Sequence, residues 1–149
     1  SKMSNPNHLR LTKLALATGF RRSELLRLTW RNIDLKKRVI YIHRKNCAAT
    51  DDSSVLRLVP LPEKAEKILE ESNERNGKVI ELSKGAARNG FDKARKRAGL
   101  QTLRFHDLRH IAISRMWSSG MNALEISACS GHRDIKMLMR YSHYELSLL

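Results

Sequence analysis

Long apolar runs, cysteines, aromatic residues and acidic residues are all scarce in this chain, and each scarcity excludes something. No apolar stretch approaches the roughly 20 residues that a membrane-spanning helix needs. Aromatic residues make up 5% of the chain, and no basic amphipathic helix carries the aromatic anchors of a membrane-surface binder. Two cysteines, Cys47 and Cys129, are too few for a disulfide framework and suit a reducing cytosol. His43 with Cys47, and Cys129 with His132, form two loose pairs whose convergence on zinc nothing in the spacing demands, so we assign no metal. A Gly-rich phosphate loop and an acidic cluster for Mg²⁺ are both missing, and no cofactor is called for. There is no secretory signal, and the opening Ser1-Lys2-Met3-Ser4 reads as the edge of a domain excised from a longer protein.

What the chain has in excess is positive charge. Lys and Arg number 29 against 15 Asp and Glu, a formal charge of +14 on 149 residues. A folded domain this basic usually meets a polyanion, and double-stranded DNA is the expected partner. Residues 84 to 115 hold nine Lys or Arg against two Asp, half of the net charge. Within that segment Arg88, Lys93, Arg95, Lys96 and Arg97 are the candidate DNA contacts. A run of charge is more often a solvated helix face, but this one leads directly into Arg104-Phe-His-Asp-Leu-Arg-His110.

The length suits one domain with a real core, and the patterning predicts a mainly helical α+β fold with a small three-stranded antiparallel sheet. Asn5-Pro6 marks a helix start, Leu11, Leu14, Ala15 and Thr18 recur at helical spacing, and Gly19 ends the run. A second short helix follows Gly19-Phe20-Arg21 and carries Leu25, Leu26 and Leu28 inward. Ile33 to Leu35, Val39 to His43 and Val55 to Val59 read as strands, the first two split by Lys36-Lys-Arg38. Pro60 and Pro62 close the sheet and start a helix running to about Arg75, with Ala65, Ile68 and Leu69 inside and Glu63 paired with Lys67 outside. Lys78 to Leu82 is ambiguous. Lys84 to Gly99 is a helix with the narrow stripe Ala87, Phe91, Ala94 and Ala98. Leu108, Ile111, Ala112 and Met116 then anchor the His-Arg helix. Asn122 and Glu125 form a capping box, Gly131 ends that helix, and Asp134 caps a last one that buries Ile135, Leu138 and Met139.

Several side chains in this frame could do chemistry. His106 and Arg109, three apart on one helix, offer an imidazole beside a guanidinium, a pair suited to phosphate oxygens. Taken singly, the others have bland readings. Arg21 near Glu24 is a surface ion pair, Lys45 a solvated hairpin residue, Gly131-His132 a helix end, and Tyr141 a packing aromatic.

Taken together and in order, these residues resemble the catalytic domain of the tyrosine recombinase, or phage integrase, family. Thr18-Gly-Phe-Arg-Arg-Ser-Glu24 matches the family's first arginine stretch at Arg21. His106-Asp-Leu-Arg109 matches its His-x-x-Arg box, Gly131-His132 its Gly-His, and Met139-Arg-Tyr141 its tyrosine, selecting Tyr141 over Tyr144. Its hairpin lysine corresponds best to Lys45. The resemblance implies a metal- and ATP-independent enzyme that breaks and rejoins DNA. Tyr141 attacks the phosphodiester and forms a 3′-phosphotyrosine. Arg21, Arg109 and His132 hold the phosphate oxygens, His106 helps with the tyrosine proton, Lys45 protonates the leaving 5′-oxygen, and Glu24 orients Arg21. It also implies a preceding core-binding domain that this chain lacks. Four protomers on two DNA sites are implied for the full-length protein, a monomer for residues 1–149 alone, and a bacterial or phage-encoded home at the nucleoid in the cytoplasm. Two other readings are a DNA-binding module without catalysis and a topoisomerase-like relaxing enzyme. Trapping a covalent protein–DNA adduct separates the first of these from an enzyme.

Overall fold

A computed structural model describes residues 5–43 and 55–141. Helix α1 (Pro6–Thr18) opens the fold, with Asn5 capping it by accepting the Asn7 N–H at 2.9 Å and Pro6 in its first turn. Helix α2 (Arg22–Arg27) and a 3₁₀ turn (Trp30–Asn32) lead into the sheet, whose strands are β1 (Ile33–Asp34), β2 (Val39–His43) and β3 (Val55–Pro60). The strands are antiparallel in the order β1-β2-β3, as the alternation predicted. Then follow α3 (Glu63–Glu70), α4 (Lys84–Arg97), α5 (Phe105–Ser118), α6 (Ala123–Ser130) and the single turn α7 (Lys136–Met139).

Helix α1 is the hub and packs against α5, α3, α2 and α4, while β3 packs on α6. Leu11, Leu14, Phe20, Leu25, Leu69, Ile113 and Ile126 lie fully inside. Each such side chain stabilises the fold by about 1.5–3 kcal/mol relative to exposure. No helix among the described residues is long and apolar enough to cross a membrane.

The fold departs from the expected helix faces in four places. Helix α3 stops at Glu70 rather than near Arg75. Glu70 and Glu71 stand at its C-terminal end, where the helix dipole disfavours negative charge. Beyond it the chain turns back to lay Val79 and Ile80 into the core, tied by the Val79 N–H to the Leu28 carbonyl at 3.0 Å. Ala94 and Ala98 are exposed, because only the first half of α4 lies over the core, held there by Ala87 and Phe91. Ile111 is 37% exposed, and Ile113 and Trp117 take the inner positions of α5 instead. The buried row is 105, 108, 109, 112, 113, 116 and 117, and Ile111 falls on its flank. In α7 only Leu138 of the three expected residues is buried, while Ile135 and Met139 are exposed.

Candidate active site

Arg109 occupies a core-facing position of α5 and is 3% exposed, which a cation tolerates only when its donors are satisfied. Its Nη1 donates to the Gly19 carbonyl at 2.8 Å, and its Nη2 lies 3.2 Å from His132 Nδ1. Gly19 earns its place here: its φ of 71° closes α1 and turns that carbonyl toward α5, a conformation that disfavours a side chain. Burial, and next the charge of Arg21, pull the Arg109 guanidinium down to about 10, still a cation at neutral pH.

Arg21 is the residue before α2, with its side chain 44% exposed. Its backbone N–H donates to Glu24 Oε2 at 3.0 Å, and its guanidinium lies 3.5 Å from Glu24 Oε1. The nearer partner of Glu24 is one that sequence reasoning missed. Arg57, on β3, grips the carboxylate with both nitrogens, at 2.9 and 3.1 Å, and also reaches the Cys129 carbonyl at 3.4 Å. Burial pushes the Glu24 carboxyl up, but the hydrogen bonds and charge of Arg57, with help from Arg21, outweigh it and hold the group below its ordinary value. Glu24 therefore stays an anion inside a cationic cleft. A signal for Arg57 was present, because it shares the inward strand face with Val59.

His132 follows Gly131, whose φ of 75° ends α6 and whose Cα lies close under Arg57; a Cβ there would come within 2.6 Å of Nη1. A guanidinium only donates, so the His132 Nδ1 facing Arg109 is the accepting nitrogen and the ring proton sits on Nε2. Ser130 Oγ, 2.7 Å from the same Nδ1, supports that orientation. Burial, then the charges of Arg109 and Arg21, push the ring down to about 4. His132 is thus a neutral donor at pH 7, and Ser130 is a second residue the sequence did not single out.

Tyr141 lies one residue beyond the cap of α7, 5% exposed, with its N–H on the Leu138 carbonyl at 3.0 Å and Arg140 over its ring at 5.5 Å. Its hydroxyl pairs with Nδ1 of His110. His106 stands edge-on to His110, ring centroids 4.9 Å apart. Phe20, Arg21, His106 and Arg109 line one cleft of about 280 Å³, joined by Arg22, Arg104 and Phe105. Tyr141 borders the next one, with His110, Ile111, Ser114 and Arg140. Helix α5 supplies a wall to both.

The structure thus brings together Arg21, Glu24, His106, Arg109 and His132, with Tyr141 on the adjoining cleft. Lys45 and Cys47 lie outside the described residues. Arg88, Lys93, Lys96 and Arg97 are exposed on α4 and do not line the cleft formed by Arg21, His106 and Arg109. Arg95 is turned onto Asp92 at 2.8 Å.

The model of the phage integrase family matches residues 2–146. The chain belongs to that family. Among its relatives, the shufflon-specific DNA recombinase of Escherichia coli is 38% identical over 133 residues, covering 87% of this chain and 33% of that protein. The integrase of Salmonella phage P22 is 29% identical over 147 residues, covering 89% of this chain and 38% of that protein. This integrase-family chain therefore spans between a third and two fifths of those relatives. The catalytic domain of bacteriophage HP1 integrase superposes with a TM-score of 0.69 at 26% identity, over 91% of this chain and 73% of that one. XerH site-specific recombinase bound to its difH substrate gives 0.68 at 18% identity, over 99% of this chain and 46% of that one, a likeness of fold alone. The mainly helical fold with its small sheet is therefore the integrase catalytic fold.

Proposed function

We propose that this integrase-family domain cleaves and rejoins DNA in site-specific recombination, through a 3′-phosphotyrosine formed by Tyr141. The observation that carries the reading is the convergence of Arg21, Arg109 and His132 at one site, with the Tyr141 hydroxyl held by His110 of α5, the helix that carries Arg109. Charge builds on the non-bridging oxygens as the nucleophile adds to phosphorus, and fixed donors stabilise that charge without reorganising. Arg109 is aimed by the Gly19 carbonyl, Arg21 by Glu24, and His132 by Ser130 and Arg109. Tyr141 Oη forms the new bond to phosphorus, and the 5′-oxygen departs with the electron pair and takes a proton, in this reading from Lys45. The phosphodiester bond energy is kept in the phosphotyrosine, so religation by the 5′-hydroxyl needs no ATP.

The test is a trap. Incubated with supercoiled or nicked duplex in EDTA and then denatured, the protein should carry DNA on a covalent, protease-sensitive link. Intact protein and uncleaved DNA would remove the enzymatic reading and leave a DNA-binding module.

Arg88, Lys93, Arg95, Lys96 and Arg97 on α4 are proposed to add phosphate contacts away from the cleft, farther along the duplex. With those of the cleft, on the order of four to seven phosphates would be neutralised, each contributing about −0.9 to the slope of log affinity against log salt. Binding of this domain should collapse between low and physiological salt and discriminate little between sequences, because phosphate contacts position while base contacts specify. A thousandfold preference for one duplex at physiological salt would contradict that. In the full-length protein we expect a core-binding domain to clamp the other side of the duplex, raising the local concentration of this one. Four protomers would assemble on two sites at the bacterial nucleoid, whereas residues 1–149 alone should be a monomer.

A further inference from the structure

A phenol is a poor nucleophile until its proton leaves. With an ordinary pKa of about 10, a tyrosine at pH 7 is ionised only about once in a thousand. An enzyme that uses it must therefore place an acceptor on the hydroxyl itself. The sequence motif offers His106 for the task, but the side chain that touches the Tyr141 hydroxyl is His110, through Nδ1. The two rings lie 5.7 Å apart between centroids and are tilted by 31°. His110 sits one turn beyond His106 on α5, half-buried, with its own backbone carbonyl taken by Ser114 Oγ at 2.9 Å. It is held by the same helix that holds Arg109.

We propose that His110 is a catalytic residue, the base that takes the Tyr141 proton as the phosphotyrosine bond forms. The proposal rests on Tyr141 being the nucleophile. In cleavage the Oη–phosphorus bond forms and the phosphorus–O5′ bond breaks. The Oη proton moves to His110 Nδ1, and the 5′-oxygen receives a separate proton from the general acid. In religation His110 returns its proton to the departing tyrosine oxygen, so no net proton is consumed. The arrangement requires the ring proton on Nε2 and a neutral imidazole. Burial, and then the charge of Arg140, push His110 below its ordinary value, which keeps it neutral and able to accept. The groups that face it are Arg140 and Tyr141 from the C-terminal segment, and Arg104, His106, Asp107 and Arg109 from its own helix and that helix's cap. Asp107 opposes the shift, and the cations outnumber it. His106, edge-on to His110 and lining the phosphate cleft, is placed to modulate this base and to meet the phosphate. A cleft of about 500 Å³ opens beside His110 and Tyr141, lined also by Ser114 and Ser118, and leaves room for a small molecule to replace the ring.

The experiment measures single-turnover cleavage of nicked duplex by the parent, His110→Ala, His110→Gln, Lys45→Ala and Tyr141→Phe, on ordinary DNA and on DNA with sulfur at the 5′-bridging position. Both His110 variants should cut about 100-fold more slowly at pH 7 and bind DNA as the parent does. Sulfur in the leaving group should rescue Lys45→Ala but neither His110 variant, because a thiolate leaves unprotonated while the phenol still needs a base. The rate of His110→Ala should climb about tenfold per pH unit toward the phenol's pKa, where the parent is flat, and imidazole in the buffer should restore part of it. A parental rate in His110→Gln means that a hydrogen bond suffices and overturns the proton transfer. Faster cleavage in His110→Ala means that His110 parks the tyrosine, and overturns it as well. Slow variants that neither high pH nor imidazole improves reduce His110 to a structural part and overturn it too. An adduct persisting in Tyr141→Phe removes the nucleophile reading itself, a result distinct from all of these.

Discussion

Tyr141→Phe should lose the covalent adduct entirely, with cleavage falling by more than about 10⁴-fold, while DNA affinity stays within about twofold, a few tenths of a kcal/mol. Only one oxygen is removed. The ring keeps its buried place and its contact with Arg140, and the cations that bind phosphate are untouched. Stability should fall by about 1 kcal/mol, the net worth of one hydrogen bond, because the hydroxyl now resting on His110 is gone. Tyr144→Phe is the control, since Tyr144 lies three positions on in the same C-terminal segment. Denaturing gels of both variants on nicked duplex decide the matter. Adducts that survive in Tyr141→Phe and vanish in Tyr144→Phe would move the nucleophile by three residues.

Arg57→Met should cost about 3–5 kcal/mol of folding stability, a large share of the roughly 5–15 kcal/mol that holds a domain together. The side chains of Arg57 and Glu24 are 10% and 7% exposed, so removing the guanidinium strands a buried carboxylate. Adding Glu24→Gln should recover much of the loss, because an amide can still accept the Arg21 N–H without a charge to bury. Urea unfolding of the parent, both single variants and the double variant gives the coupling. Acid should reveal the sign. In the parent, the Glu24 carboxyl is held below its ordinary value, so its contribution is present at neutral pH and is lost as pH falls through its folded pKa. In Arg57→Met burial acts with only Arg21 to oppose it and raises that pKa. The deficit against the parent should then shrink as pH falls below the ordinary 4.5. A deficit that is constant from pH 7 to pH 3 would mean that Arg57 acts through packing against Phe20, 5.4 Å from its ring centroid, and not through charge.

Cleavage should suffer in Arg57→Met beyond what instability explains. Arg57 ties β3 to Glu24, which aims Arg21, and to the Cys129 carbonyl at the end of α6, just before His132. It is therefore a positioning residue for two of the three phosphate donors. Activity measured well below the melting range, with Arg57→Lys as a partial rescue, separates the two effects, because lysine keeps the charge but not the two-pronged grip.

The chain by itself determined its element types, its helix ends apart from that of α3, and most of the kinds of side chain at the site. Asn5, Gly19, Asn122 and Gly131 set helix boundaries through hydrogen bonds and φ values that span only a few residues, and such signals survive in any context. The short motifs around Arg21, His106, Arg109, His132 and Tyr141 carried the chemistry only through their resemblance, in order, to those of a known family. Tertiary structure alone decided which flank of each amphipathic helix was covered. Periodicity gave α5 a stripe, but only the packing of α1 and α6 against it chose Ile113 and Trp117 over Ile111. It alone decided the partners as well. Arg109 meets a carbonyl 90 residues away, Arg57 a carboxylate 33 away, and Tyr141 an imidazole 31 away. A polar side chain carries no mark of its partner in the sequence, because hydrogen bonds and ion pairs of a few ångströms are chosen only after the fold has brought the two ends together.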